Sequence, residues 1–307
     1  MQGKAGCGPN YLGKNSNQRE PGSRADQNQV SEKGGAAIIE KARRILHALR
    51  QAGHEAYIVG GAVRDYLLGV IPQDIDIATS AHTAEIIGTA KRQGWRTIET
   101  GIYFGVVVVL VEGDPYDVAT FRTETYGADC HRPETVSFAV SLREDLSRRD
   151  FSINAMAMDE AGAIIDYFNG RDDLHDGLIR TVGNPLERFQ EDSLRMFRAA
   201  RFAAVFDFDI DPATLAAIPP NLYRVRGLSV ERVRNEIDKT LLGRYAPKGL
   251  RVLLEQGLLS ETCRARDEAG ETSIPILPEL DHLRGLSQNA RYHRLDVWEH
   301  TLSMVEQ

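Results

Sequence analysis

Residues 56–80, AYIVGGAVRDYLLGVIPQDIDIATS, constrain the fold more than any other part of this chain. The segment Tyr57-Ile58-Val59 is aromatic and β-branched, which is typical of a buried strand. Gly60 and Gly61 end that strand, and the following AVRDYLL segment predicts a short helix that ends at Gly69. Pro72 then separates this helix from a second strand. The stretch therefore predicts a compact strand–turn–helix–strand unit.

The second strand of this unit carries two carboxylates. Asp74 and Asp76 alternate with Ile75 and Ile77, so a strand would place both aspartates on one face and both isoleucines on the other. Oxygen donors at this spacing are ligands that Mg²⁺ prefers. An Asp-x-Asp pattern on a solvated strand and a Gly-Gly turn are each common, so the prediction of a site depends on their combination. Glycines let a backbone approach phosphates closely, and the start of the following helix favours negative charge.

Length and composition limit the possible classes of protein. The 307 residues allow about two domains, and 42% hydrophobic residues are enough for packed cores. A net charge of −7 argues against a protein that coats nucleic acid by bulk positive charge. The three cysteines, Cys7, Cys130 and Cys263, are scattered and form no Cys-x-x-Cys pair, which predicts free thiols rather than disulfides or a zinc site. No membrane span or signal peptide is predicted, so we expect a soluble cytoplasmic protein without a membrane partner.

A third carboxylate lies downstream of this unit. Asp117 alternates with apolar neighbours in a hairpin strand that follows the Gly113-Asp114-Pro115 turn. We expect it to face Asp74 and Asp76 from a neighbouring strand, although the alternation fits a solvated position equally well. Asp114 is assigned to the turn. Residues 123–133, TETYGADCHRP, lack periodicity and predict a mobile loop beside the site.

Composition divides the chain into regions. Residues 1–34 are polar and predict a disordered tail, and apolar periodicity predicts a helix over residues 36–52. Strand signals become rare from Asp173 onward, which predicts an α+β head over residues 35–168. An all-helical arm follows, with a neck over residues 169–227 and a body over residues 228–307. Within the neck, continuous helical character is predicted for residues 185–206.

The GGAVRD and DIDIATS segments together resemble the core motif of the class II tRNA nucleotidyltransferase and bacterial poly(A) polymerase family. The resemblance implies a polymerase-β-like nucleotidyltransferase head with a mixed β-sheet. It also implies that Asp74, Asp76 and Asp117 hold two Mg²⁺ ions and that Gly60, Gly61 and Arg64 cradle a triphosphate. The motifs match in order over about residues 36–243.

Two arginine-rich segments extend this resemblance. RRDFSINA is similar to a family motif that contacts the sugar and phosphates of the incoming nucleotide, which implies this role for Arg148, Arg149, Asp150 and Asn154. EDSLR is similar to the motif that reads the base, which implies this role for Asp192 and Arg195. On one continuous helix Asp192 would lie one turn before Arg195, close enough to contact it, and Arg198 and Arg201 would follow on the same side. An ordinary surface ion pair is the alternative interpretation of both segments.

The remaining matches concern architecture. DYFNGRDDL resembles the family's hinge between head and neck, and RVRNEIDK resembles its last shared motif, which we expect to brace the neck helices. The segment YHRLDVWEHT resembles the opening of an HD phosphohydrolase-type domain, but the other ligands of such a domain do not occur before Gln307. We expect packing rather than metal binding from His300.

The resemblance implies template-independent addition of nucleotides to the tRNA 3′ end, with tRNA, ATP and CTP as partners. The segment GIYFGV, in place of an arginine-rich strand, and the presence of residues 123–133 favour CCA addition. Addition of A alone and poly(A) synthesis are the alternatives within the family. A catalytically inactive RNA-binding module and an HD phosphohydrolase with an accessory head are the alternatives outside it.

Overall fold

The computed structural model describes residues 24–126, 133–138, 141–267, 270–289 and 291–305. The strands, in chain order, are β1 (Ala56–Val59), β2 (Asp76–Thr79), β3 (Arg96–Ile98), β4 (Val106–Val111), β5 (Asp114–Thr120), β6 (Arg122–Tyr126), β7 (Pro133–Phe138), β8 (Met156–Met158), β9 (Ile164–Asp166), β10 (Leu178–Ile179), β11 (Asp209–Ile210), β12 (Thr262–Asp267) and β13 (Gly270–Pro275).

The helices are α1 (Arg24–Gln51), α2 (Gly61–Leu67), α3 (Thr83–Arg92), α4 (Leu142–Ser147), α5 (Gly170–His175), α6 (Pro185–Glu191), α7 (Leu194–Phe206), α8 (Pro212–Ala216), α9 (Val230–Leu241), α10 (Ala246–Glu255), α11 (Pro278–Asp281) and α12 (Val297–Val305). Short 3₁₀ turns occur at Ile102–Phe104, Ser152–Asn154, Pro219–Gly227 and Leu258–Ser260. Within the described residues, no helix is both long and apolar enough to cross a membrane.

The head is built on a seven-stranded mixed sheet with the strand order β3-β4-β5-β2-β1-β8-β9. Strands β2 and β5 are parallel, and the other neighbouring strands are antiparallel. The predicted α+β fold class, a mixed-sheet head followed by a helical arm, is confirmed. The parallel pair matters for the site because it places Asp76 directly beside Asp117.

Helix α1 packs on one face of this sheet through the apolar positions that the sequence predicts. Ile39, Ala42, Ile45, Leu46 and Leu49 are all buried. The helix begins at Arg24, before the predicted start at residue 36, so residues 24–34 of the predicted disordered tail are helical although Gly34 and Gly35 disfavour a helix. The rest of the predicted disordered tail, residues 1–23, lies outside the described residues.

The predicted mobile loop at residues 123–133 differs from the structure at both ends. Residues up to Tyr126 form β6, which pairs in antiparallel register with β7 from Pro133 onward. The β-branched residues Thr123 and Thr125 favour this strand. Residues 127–132 lie outside the described part of the chain, so the prediction of mobility stays a prediction there.

The arm is mainly helical but not all-helical, which corrects the prediction. Strands β10 and β11 form a short parallel pair, and β12 and β13 form an antiparallel hairpin. In that hairpin Cys263 lies opposite Ile274, and both side chains pack on the apolar core of the arm. The hairpin therefore buries apolar surface that two isolated strands would expose.

Helix α7 lies between two apolar cores. Ala199, Phe202 and Ala203 belong to the core of the head. Met196 and Phe197, on another side of the same helix, belong to the core of the arm. The head core thus continues beyond residue 168, and the domain boundaries given above stay predictions.

Removing the hydroxyl of Tyr116 tests the docking of α1 on the sheet. This buried hydroxyl, on β5, donates a hydrogen bond of 3.0 Å to the carbonyl oxygen of Ile38. We expect Tyr116→Phe to lower the free energy of unfolding by about 1 kcal/mol, because the hydrogen bond from the buried tyrosine to Ile38 is lost. Denaturant unfolding measures the change. Tyr223→Phe, which alters an exposed ring, is the control and should be neutral; equal effects of the two variants would contradict the contact.

Candidate nucleotide and metal site

Three carboxylates lie at one edge of the head. Asp76 and Asp117 are register neighbours on the parallel strands β2 and β5, so their side chains point to the same side of the sheet. Asp74 precedes β2 in a bend, which corrects the prediction that both aspartates of the Asp-x-Asp pair lie on the strand. All three reach solvent, while Ile75 and Ile77 between them are buried, as the alternation predicts.

The carboxylates act on one another electrostatically. Asp76 lies at the wall of a cavity, where loss of hydration raises the pKa of its carboxyl group. The positive charge of Arg149 opposes this rise, and the negative charges of Asp117 and Asp74 add to it. A cation bound at this edge would add to the effect of Arg149 and stabilise the charged form of Asp76.

The donor set fits a hard divalent cation, although the described residues do not yet form a closed ligand shell. In the described ranges, no group of three or more His, Cys, Asp and Glu side chains is close enough to hold a metal ion. Asp76 and Asp117 supply adjacent oxygen donors, and the negative charge of Asp117 acts to raise the pKa of Asp76. Asp74 lies two residues away from Asp76. Such oxygens suit Mg²⁺ better than they suit softer metals.

Gly60 places the backbone close to this edge. Its φ of 77° lies in the left-handed region, and a Cβ atom there would lie 2.5 Å from Nη1 of Arg149 and 3.6 Å from Oδ2 of Asp76. Gly60 therefore leaves room for the arginine to lie beside the carboxylates, and any side chain at this position would displace it. Gly61 begins α2 directly behind this turn.

A cavity of about 940 Å³ opens beside the carboxylates, between the head and helices α7 and α9. Eight cationic side chains and five carboxylates line it, although the whole chain carries a net charge of −7. The predicted site residues among the lining are Gly61, Arg64, Asp74, Asp76, Arg148, Arg149, Asp150, Asn154, Asp192, Arg195, Arg198 and Arg201. Asp117 and Gly60 are not part of this lining, but both lie next to Asp76, which is. An electropositive cavity with a carboxylate edge suits a polyanion that binds together with a cation.

Asp150 lines the cavity and also joins the head to the neck. Its Oδ2 accepts a 2.7 Å hydrogen bond from Nε of Arg198, and its Oδ1 accepts from the side-chain amide of Asn154 at 3.0 Å. Nη1 of Arg64 in turn donates to Oδ1 of Asn154 at 2.6 Å. Burial disfavours both charges of the pair, but Arg198 lowers the pKa of Asp150 and Asp150 raises the pKa of Arg198. Asp150 is 7% exposed and belongs to this buried network, and its contact with a nucleotide sugar stays a prediction.

The arginine pair of the same segment is held by a residue that the sequence analysis missed. Asp145 is 1% exposed and accepts from Nε and Nη2 of Arg148, at 3.2 and 3.0 Å. Its other oxygen lies 3.5 Å from Nη2 of Arg149. Asp145 also accepts the backbone N–H of Arg122 at the start of β6. The spacing of three and four residues along α4 was the available signal for these contacts.

Asp192 and Arg195 are in contact through the backbone, where the N–H of Arg195 donates to the carbonyl oxygen of Asp192 at 3.1 Å, but their side chains have other partners. Helix α6 ends at Glu191, Asp192 adopts an extended conformation, and α7 starts at Leu194, so the two residues do not lie on one continuous helix. Nη1 of Arg195 instead donates to Oε2 of Glu191 at 2.8 Å. Glu191 precedes Arg195 by four residues, a spacing that could have revealed this pair.

Asp192 has a different partner, which also lies outside the set of predicted site residues. Its Oδ2 accepts from Nη2 of Arg232 on α9 at 3.1 Å, and its Oδ1 accepts the backbone N–H of Leu194 at 3.0 Å. Arg232 belongs to the segment that the sequence predicts to brace the neck helices, and forty residues separate it from Asp192. No local spacing signals such a contact. Both side chains line the cavity.

Arg201 completes the cationic wall. Its Nε lies 3.2 Å from Oε2 of the buried Glu236, and its guanidinium lies 4.5 Å from the centre of the Phe202 ring. Burial and the neighbouring cation Arg198 lower the pKa of Arg201. Positive charges are therefore crowded at this wall.

Comparison with known proteins identifies two family matches along the chain. Residues 56–180 match the model described as "Poly A polymerase head domain". Residues 207–263 match the model described as "Probable RNA and SrmB- binding site of polymerase A". The two matches follow one another in the order of the head and the arm.

Individual proteins match over most of this chain. The chain is 48% identical to a CCA-adding enzyme from Limosilactobacillus fermentum over 235 residues, which are 76% of this chain and 58% of that protein. The crystal structure of the Bacillus stearothermophilus CCA-adding enzyme in complex with CTP is similar, with a TM-score of 0.65, 45% identity and coverage of 71% of this chain and 52% of that one. A Thermotoga maritima CCA-adding enzyme complexed with tRNA is also similar, with a TM-score of 0.58, 28% identity and coverage of 71% and 50%. The chain thus spans about half the length of these relatives.

Neutralising Asp150 tests the buried network and its pH dependence. We expect Asp150→Asn to lower the free energy of unfolding by roughly 1.5–3 kcal/mol at pH 7, because the charge-assisted hydrogen bond between the buried Asp150 and the partly exposed Arg198 is lost. Because the pKa of Asp150 is lowered in the folded protein, this stabilisation is complete above the unfolded pKa of about 3.9. It is lost only as the pH falls from there through the folded pKa.

Denaturant unfolding of wild type and variant between pH 7 and pH 3 measures this difference. Asp238→Asn, which removes an exposed carboxylate paired with Arg234, is the control and should change stability by less than about 1 kcal/mol. A difference between wild type and Asp150→Asn that disappears already at pH 6 would contradict a lowered pKa.

Proposed function

We propose that the chain belongs to the tRNA nucleotidyltransferase and poly(A) polymerase family and that it adds CCA to the 3′ end of tRNA from CTP and ATP. The observation that carries this proposal is the electropositive cavity whose edge bears Asp74, Asp76 and Asp117. The relatives reported above are CCA-adding enzymes, and two of the similar structures are complexes with CTP and with tRNA. The head has the polymerase-β-like fold of these proteins.

Asp74, Asp76 and Asp117 would hold the metal. Members of this family use divalent metal ions, and we propose two Mg²⁺ ions here. When bound, such ions lower the pKa of an attacking hydroxyl and neutralise charge on a triphosphate. Gly60 keeps this edge open, because a side chain there would push Arg149 away from Asp76.

The cationic wall would bind and orient the nucleotide. Arg64, Arg148 and Arg149 point planar donor groups at the cavity, and planar forks suit phosphate oxygens. Their carboxylate and amide partners hold the guanidinium groups in place before substrate arrives. Such pre-positioning reduces the entropy that must be lost when the triphosphate is aligned for in-line attack by the RNA 3′-OH.

Asp150 and Asn154 contribute to this alignment indirectly. Both are buried and bonded to Arg198 and Arg64, so their role is to orient these arginines toward the sugar and phosphates. Arg198 and Arg201 extend the wall along α7.

Asp192 and Arg195 would select the base. The Asp192 carboxylate retains acceptor capacity beside its bonds to Arg232 and Leu194, and it would accept from the exocyclic amine of C or A. The Arg195 guanidinium has five N–H groups, and its bonds to Glu191 and two backbone carbonyls occupy three of them. The other donors would reach the adjacent ring nitrogen. Uracil and guanine present a carbonyl where Asp192 needs a donor, so both are rejected.

Residues of the arm would bind the acceptor stem. The region 207–263 matches an RNA-binding family model, and duplex RNA is recognised mainly by shape and backbone contacts. Because the chain is acidic overall, we expect this contact to depend on local groups rather than on bulk charge.

Labelled nucleotides distinguish the activities within the family. We expect the full chain with Mg²⁺ to extend a tRNA transcript that lacks CCA with CTP and then ATP, and to leave GTP and UTP unused. Transcripts that lack CCA, that end in CC, or that carry no tRNA structure are each incubated with one labelled nucleotide. Extension only from the CC end would indicate A addition, and long A tails on unstructured RNA would indicate poly(A) synthesis. Equal use of GTP would contradict the assignment of Asp192 and Arg195.

Asp117→Asn tests the third carboxylate. We expect the single-turnover rate of CTP incorporation to fall about 100-fold or more, because a metal-bound oxygen charge is lost. Rapid-quench measurement with saturating CTP reports the rate. Asp114→Asn is the matched control on the same strand, because Asp114 pairs with Lys41 at 2.7 Å and is not a register neighbour of Asp76. An unchanged rate in Asp117→Asn would remove that residue from the metal set.

A further inference from the structure

Three arginines converge on one aromatic ring in the cavity wall. The guanidinium carbon of Arg201 lies 4.5 Å from the centre of the Phe202 ring, that of Arg64 lies at 5.3 Å and that of Arg198 at 5.5 Å. Arg64 belongs to α2 and the other two belong to α7, so the ring contacts cationic side chains from two separate helices. All three arginines line the cavity.

Three like charges this close repel one another, so other interactions must hold these arginines together. Arg64 and Arg198 both act to lower the pKa of Arg201, after the larger effect of burial, so the three charges repel one another. Asp150 and Glu236 offset part of this repulsion. The π face of an aromatic ring attracts guanidinium groups within about 6 Å, and this attraction strengthens where water is excluded.

Phe202 is itself rigidly held. It is 5% exposed, it stacks on Phe206 with ring centres 5.8 Å apart, and its ring contacts Phe151 edge to face at 5.7 Å. Arg64 also lies 4.7 Å from the centre of the Phe206 ring. A fixed ring can thus hold flexible guanidinium groups in one arrangement.

We propose that Phe202 is a positioning residue that holds Arg64, Arg198 and Arg201 as one binding surface for the triphosphate of the incoming nucleotide. This inference rests on the proposed function of the same cavity. A leucine would fill similar apolar volume at this position but would give the cations no π face. The ring therefore does more than fill the core, because its electrostatic field sets the geometry of the phosphate-binding wall.

Inorganic tripolyphosphate is the probe, because it carries the phosphates without a base or sugar. Its dissociation constant is measured by calorimetry on the full chain for wild type and for four changes. We expect about tenfold weaker binding for Phe202→Leu and for pentafluorophenylalanine at position 202, which keeps the shape of the ring but reverses its field. Phe202→Tyr keeps the π face and should bind within twofold of wild type.

Phe197→Leu is the matched control for loss of packing. Phe197 is a fully buried phenylalanine on the same helix, but it packs in the core of the arm and has no arginine over its ring among the described contacts. Its variant should lose thermal stability and keep the wild-type affinity for tripolyphosphate. If it weakens binding as much as Phe202→Leu does, the effect is general disorder of α7 and the proposal is overturned.

The fluorinated ring keeps the test decisive if Phe202→Leu fails to fold. Unchanged tripolyphosphate binding with pentafluorophenylalanine overturns the inference, and so does a wild-type chain that does not bind tripolyphosphate. If the chain incorporates CTP normally but its affinity for tripolyphosphate does not depend on the ring at position 202, the proposed function stands and the inference is wrong. A chain that binds tripolyphosphate in a ring-dependent way but extends no RNA would remove the proposed function alone.

Discussion

The buried ion pair between Asp150 and Arg198 is the interaction on which the geometry of the cavity depends. Both side chains lose most of their hydration, a loss that is tolerated only when the charges are well paired. Asn154 and the backbone N–H of Phe151 satisfy the remaining acceptor positions of Asp150. Because Asp150 lies at the end of the head and Arg198 lies on α7, the pair fixes the neck helix against the sheet.

The other cations of the cavity are arranged around this pair. Arg64 reaches the same network through Asn154, and Asp145 of helix α4 holds Arg148 and Arg149, which follow directly after that helix. The result is a concentrated positive wall in a protein whose total charge is negative. Such an arrangement attracts a polyanion to one place without giving the whole surface an affinity for nucleic acid.

Much of the site follows from local patterns. The alternation at Asp74–Ile77 predicts which side chains reach solvent, and the apolar spacing of α1 predicts which of its faces packs on the sheet. Patterns of this kind depend on the period of a helix or strand, which the sequence displays directly. The spacing of apolar residues does not reveal the break after Glu191, because it stays helical on both sides of Asp192 and Ser193. The helical backbone itself is interrupted at these two residues.

The sequence by itself determined the strand–turn–helix–strand unit, the three carboxylates at the edge of the head and the arginines that accompany them. Only the tertiary structure determined which partner each charged side chain contacts. Arg232 comes from a helix forty residues away to hold Asp192, and Arg64 meets Phe202 across two elements. Spacing along a chain encodes neighbours within one element, whereas partners on different elements are set by how the cores pack. Helix α7, which is buried in both cores, is the element that brings them together.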